Sequence, residues 1–132
     1  MSKTTLLPAG WPRPKGYANG VMAQGRQVFV AGMIGWDGEC RFHTDELAGQ
    51  VRQALQNVVD VLAEAGAKPQ HIVRMTWYVI DKRAYLAAQR EIGAAYRELI
   101  GDFDVAMTAV QVAALIEDRA LVEIEVTAVV PA

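Results

Sequence analysis

The stretch from Leu121 to Val130 reads LVEIEVTAVV. In an extended chain Val122, Ile124, Val126, Ala128 and Val130 share one side, and Glu123, Glu125 and Thr127 the other. A strand of this kind buries its valine side, so it predicts a sheet with an apolar layer packed above that face.

Other segments carry the same two-residue period. In HIVRMTWYVI, Val73, Met75, Trp77 and Val79 fall on one face and Arg74, Thr76 and Tyr78 on the other. VAMTAVQV, from Val105 to Val112, splits into Ala106, Thr108, Val110 and Val112 against Met107, Ala109 and Gln111. GVMA and QVFVAGMI read as two short strands, and Gly25 in the intervening QGR predicts a hairpin turn.

The layer above the sheet is helical. Leu47, Val51, Leu55, Val58 and Leu62 recur at spacings of 4, 4, 3 and 4, one face of an amphipathic helix. Thr44 is its expected N-cap, and Gly66 with Pro69 ends it. Asp81 is the expected cap of a second helix presenting Tyr85, Ala88, Ile92, Tyr96 and Leu99, which Gly101 stops. Residues 1–19, with Pro8, Pro12 and Pro14 and with Gly10 and Gly16, read as an extended arm. The expected order is β-β-α-β-α-β-β: an α+β fold in which two helices cover one face of one sheet, in a single domain spanning 1–132.

Composition narrows the function classes. With 52% apolar residues the chain carries enough to build a core. A net charge of −2 leaves no electrostatic footprint for nucleic acid. One cysteine, Cys40, permits no intrachain disulfide and fits a reducing compartment. No apolar run reaches the ~18 residues of a membrane span, and the N-terminal stretch lacks a signal-like apolar region, so the expectation is a cytoplasmic protein with no membrane partner. His43 and His71 stand apart without metal-ligand spacing, so no metal site is expected.

The second sheet face is the informative one. It is read as holding Glu123, Glu125, Gln111 and Arg74 beside Met107, Tyr78 and Phe29. That mixture is too apolar for a solvent face, so it predicts cover by further copies of the chain. A glutamate partly buried there is suited to general acid–base work.

PKGYANGV, VFVAGMIGWDGE, VRQALQNVVDVLAEAGA, IVRMTWYVID and MTAVQVAALIEDRALVEIEVTAV together resemble the RidA family, also called YjgF or L-PSP proteins. The closing VEIEVTAV and the FVAG strand are the most specific parts. The resemblance implies a chorismate-mutase-like fold and a homotrimer with a small-molecule cleft between subunits. It also implies hydrolysis of 2-imino acids, or their enamine tautomers, to 2-keto acids and ammonia without a cofactor.

Carried onto this chain, Tyr17 matches the family's pocket tyrosine, and Ala31 and Gly32 match its Ser-Gly step without the hydroxyl. Gln89 stands for an asparagine of the second helix, and Glu123 matches the glutamate that handles water. Met107 stands where the family holds the arginine that grips the substrate carboxylate. A thioether offers neither charge nor donor in place of a bidentate fork. The expectation is a RidA-like trimer acting on a small imine, enamine or related metabolite, without archetypal 2-imino acid deaminase activity. The alternative is a trimer that binds a metabolite without turning it over. RNA cleavage ranks last. Arg74 and Arg119 are the arginines that stand to replace the missing one.

Overall fold

The computed structural model describes residues 3–132. The chain runs β1 (Lys3–Leu6), β2 (Gly20–Ala23), β3 (Arg26–Ile34), α1 (Leu47–Glu64), β4 (Ile72–Val79), α2 (Lys82–Ala87), α3 (Gln89–Leu99), β5 (Ala106–Gln111) and β6 (Val122–Val130). A single 3-10 turn, Pro69–His71, leads into β4. The main sheet has the order β3-β6-β4-β5. Only the β4–β5 pair is parallel, and α2 and α3 form the crossover that a parallel pair requires. This is the expected α+β fold, a mixed sheet with its helices on one face.

The valine face of β6 is the floor of the core. Val122, Ile124, Val126, Ala128 and Val130 are all buried, and Val51, Leu55, Val58 and Leu62 of α1 pack onto the same cluster. Burying each large side chain of this kind is worth about 1.5–3 kcal/mol, which gives one face of β6 a strong preference for the helices. Ile92 of α3 joins the cluster, and the Trp77 ring of β4 lies 6.3 Å from those of Tyr85, edge-on, and Tyr96, tilted.

Gln50 is the one buried polar side chain of this interior among the described residues. Its amide nitrogen donates to the carbonyls of Thr44 and Arg119 at 3.1 and 3.0 Å, and its oxygen accepts from the Leu121 N–H at 2.8 Å. One side chain thus ties the start of α1 to the start of β6 and satisfies three backbone groups that a buried loop would otherwise leave unpaired.

Several local expectations are corrected. Part of the arm is not a free lead-in: Lys3–Leu6 forms β1 and pairs antiparallel with β2, while Met1 and Ser2 lie outside the described residues. β2 and β3 make no hairpin, because β2 is taken by β1 and β3 pairs with β6. Gly25 instead admits the Val130 carbonyl oxygen, 2.2 Å from where a Cβ would stand. Thr44 does not cap α1, which starts after Glu46; its hydroxyl accepts the Glu46 N–H in a local turn. A bulge between Ile72 and Arg74 buries Ile72 and leaves Val73 half-buried, and the expected alternation holds from Met75 onward. The second helix starts as expected, with Asp81 accepting from the N–H groups of Arg83 and Ala84, but it is interrupted at Ala88.

Candidate functional site

A hollow of about 710 Å³ opens where the β5 edge of the sheet meets α3 and the segment from Arg13 to Tyr17. β5 is an edge strand, so α1 and α3 do not fully roof its helix-side residues. The floor is Met107 and Ala109 of β5 with Trp77 of β4. The arm forms the opposite wall. It is anchored there by the Ala18 N–H donating to the Val105 carbonyl at 2.8 Å, and by the Thr5 hydroxyl donating to Asp104 at 2.5 Å.

Of the expected site residues, Tyr17, Gln89 and Met107 meet in this hollow. Tyr17 stands half-exposed at the mouth. Gln89 sits at the α2–α3 junction, where its amide nitrogen donates to the Tyr85 carbonyl at 2.9 Å, which leaves its carbonyl oxygen free of protein partners among the described residues.

Ala31, Gly32 and Glu123 lie elsewhere. A bulge between Val30 and Met33 breaks the β3 alternation and brings Gly32 against the Glu123 side chain. A Cβ on Gly32 would stand 2.0 Å from Glu123 Oε2, so the carboxylate occupies the space a side chain would need. Ala31 is exposed beside it.

The two sets are on opposite faces of the sheet, which corrects the expectation that Met107 shares a face with Glu123. In the parallel pairing Met107 stands opposite Met75 and Ala109 opposite Trp77, so the Met107 set faces the helices. Gln111 belongs to that set too, and its side-chain oxygen accepts the Lys82 N–H at the start of α2, 2.7 Å away. Glu123 pairs with Tyr78 and Glu125 with Thr76 on the other face. The Tyr78 hydroxyl donates to Glu125 Oε1 at 2.6 Å, and this bond holds the phenol above its ordinary pKa. Phe29 stands on the same face, opposite Thr127, and is 71% exposed.

Neither expected replacement arginine reaches the hollow. Arg74 is exposed and does not line it. Arg119 is held at 2.8 Å by Asp45 and lies over the Phe42 ring, 5.2 Å from its centroid. The arginines that do line the hollow are Arg13 and Arg97, which sequence reasoning passed over. The readable signal was Gly93, one helical turn before Arg97, where a missing side chain leaves room for a long one to fold back.

Two polar atoms around this hollow are buried without a hydrogen-bond partner, Trp77 Nε1 and the Tyr96 hydroxyl. Burial first, and Asp102 second, push the Tyr96 phenol up to about 12, so it stays protonated at neutral pH. Among the described residues no three His, Cys, Asp or Glu side chains gather to hold a metal ion, and no helix is long and apolar enough to cross a membrane.

A mixed four-stranded sheet with helices on one face, a hollow at its parallel edge and a glutamate on the reverse face defines the chorismate-mutase-like fold of the Rid proteins. The chain belongs to the RidA/YjgF/L-PSP family: the family profile described as Endoribonuclease L-PSP matches residues 12–130. It is similar to a RutC family protein of Pyrococcus abyssi, 30% identical over 97% of this chain and 98% of the relative. Among solved structures it resembles the Rid family protein YyfB of Yersinia pestis, a protein of unknown function, with a TM-score of 0.84 and 32% identity over 98% of this chain and 100% of the other. A member of the YjgF/YER057c/UK114 family from Mycobacterium tuberculosis is also 32% identical, over 98% and 100% of the two chains, at a TM-score of 0.64.

Proposed function

We propose that the protein works as a homotrimer and hydrolyses a small imine, enamine or related metabolite in a cleft completed by two copies of the chain. One observation carries this reading. Tyr17, Gln89 and Met107 open from the helix face of the sheet, whereas Gly32 and Glu123 lie on its reverse. A single chain cannot bring the two sets together, and a second copy that lays its Glu123 face against the hollow can. The exposed Phe29 ring on that face is the kind of apolar surface such packing would cover.

In that cleft the Glu123 carboxylate takes a proton from water as the water oxygen bonds to the imine carbon, and the C=N electron pair moves to nitrogen. The carboxylic acid returns the proton to the nitrogen to give a carbinolamine. Glu123 then takes the carbinolamine hydroxyl proton and passes it to the amine as the C–N bond breaks and the C=O bond forms, so a carbonyl compound and ammonia leave. Met107 and Trp77 offer the substrate an apolar floor where relatives are expected to offer a guanidinium, so 2-iminopropionate is a poor substrate. The loss of one charge-assisted hydrogen bond, about 1.5–3 kcal/mol, is enough to weaken it by roughly 10- to 150-fold.

The test is ammonia release from a panel of imines made in situ by amino-acid oxidases, comparing wild type with Glu123→Gln. Acceleration of at least one imine that disappears in the variant supports the reading. Equal rates in both proteins overturn it. The uncharged Met107 floor favours one second reading, a metabolite-binding trimer without turnover. It predicts saturable binding and no ammonia from either protein. The net charge of −2 speaks against RNA cleavage, which would have to survive repurification and steepen at low salt.

A further inference from the structure

The hollow above Met107 has lost its expected charge on β5 and holds another on α3. Arg97 lines it, and its Nη1 lies 3.2 Å from where a Cβ would stand on Gly93, four residues earlier. Helical side chains lean toward the N-terminus, so an arginine at this position lies back across the preceding turn. The bare Gly93 backbone lets it do so at close range, and Gly93 lines the same hollow.

Arg97 is also unspent. Among the described residues no carboxylate lies within ion-pair distance of it, whereas Arg13 pairs with Asp104, Arg52 with Glu98 and Arg119 with Asp45. Three cationic side chains, Arg13, Lys15 and Arg97, face two carboxylates, Asp102 and Asp104, around the opening. Asp104 is already engaged by Arg13 at 3.8 Å and by the Thr5 hydroxyl. Next to Arg97 the wall turns apolar, through Ile92 to Met107 and Trp77. An unpaired planar donor beside an apolar floor fits a carboxylate carried on a hydrocarbon body.

We propose that Arg97 is the anion anchor of this hollow, and that its ligand is a small carboxylic acid with a ring-sized or branched apolar body resting on Met107 and Trp77. The proposal rests on the reading of the hollow as a ligand site, but not on turnover there. A ligand gripped from α3 is displaced from the position that an arginine on β5 would impose. The geometry therefore favours longer acids over the two- and three-carbon ones.

Calorimetric titration tests it with 3-phenylpropanoate and 4-methylpentanoate as probes and the uncharged 3-phenylpropanamide as the control. Wild type should bind the acids about 10-fold or more tightly than the amide. Arg97→Gln should reduce acid affinity to that of the amide and leave the amide unchanged, and Arg97→Lys should keep part of the difference. Arg97 is exposed, so these variants should melt like wild type, which circular dichroism checks. Met107→Glu places a negative charge on the floor and should abolish acid binding. Equal acid affinity in wild type and Arg97→Gln overturns the proposal, as does a wild type that binds neither acid. Acid binding that depends on Arg97 but persists in Glu123→Gln, in a protein that turns over no imine, sustains the anchor while the hydrolytic reading fails.

Discussion

Gly32 and Glu123 share one small volume: a Cβ on the glycine would stand 2.0 Å from the carboxylate oxygen and 2.7 Å from its carbon. Gly32→Ala must therefore push the Glu123 side chain aside or shift the β3 bulge. The expected cost is about 1–3 kcal/mol of stability, as for other overpacked positions. If Glu123 handles water, turnover of the best imine should fall as far as it does in Glu123→Gln. Thermal melting and ammonia release measure both, and a fully active Gly32→Ala would show that the placement of Glu123 is immaterial.

Met107→Arg restores a guanidinium to the floor of the hollow. Hydrolysis of 2-iminopropionate should be slow or absent in the native protein and rise by about 10-fold or more in the variant. Native activity that already matches an archetypal family member would refute the role given to Met107.

Phe29 is 71% exposed on the face that carries Glu123. Light scattering behind a size-exclusion column should give the native protein three times the chain mass. Phe29→Glu should give a smaller species, because it would bury a charge without a partner at each contact. A native monomer would remove the basis for a cleft between copies.

Tyr96 ties stability to alkaline pH. The unfolded phenol titrates near 10.0, and the folded one is pushed up to about 12. Between these values the unfolded chain releases a proton that the folded chain keeps, so stability falls as pH rises above 10, by roughly 2–3 kcal/mol at pH 12. Tyr96→Phe removes this contribution along with an unpartnered hydroxyl. Urea denaturation should find the variant about 1 kcal/mol more stable than the native protein at pH 7, with the gap widening at pH 11.5.

Gln50→Leu keeps the volume at the α1–β6 junction and strands the Leu121 N–H together with the carbonyls of Thr44 and Arg119. The expected loss is about 2–4 kcal/mol, read as a lower urea midpoint with an unchanged slope. A variant as stable as the native chain would mean that these groups find other partners.

Much of the architecture was legible because the burial pattern has a period. The valines of β6 and the 4, 4, 3, 4 spacing of α1 name their own buried faces, and Asp81 caps its helix as its position suggests. What failed was long-range. No local signal told that β2 would pair with Lys3–Leu6, in the register Thr5↔Val21 and Leu6↔Gly20, rather than with the strand beside it. Arg97 went unnoticed because its significance depends on the wall opposite α3, which the arm and β5 supply.

The sequence by itself determined that VAMTAVQV has two sides, with Met107, Ala109 and Gln111 on one of them. It did not determine which side meets the helices. A two-residue period is symmetric between faces, and an edge strand with mixed chemistry on both sides has no burial preference strong enough to choose. The parallel pairing with β4 made the choice by setting Met107 against Met75. That placement puts the apolar floor on the helix face and Glu123 on the reverse, so the two do not meet within one chain.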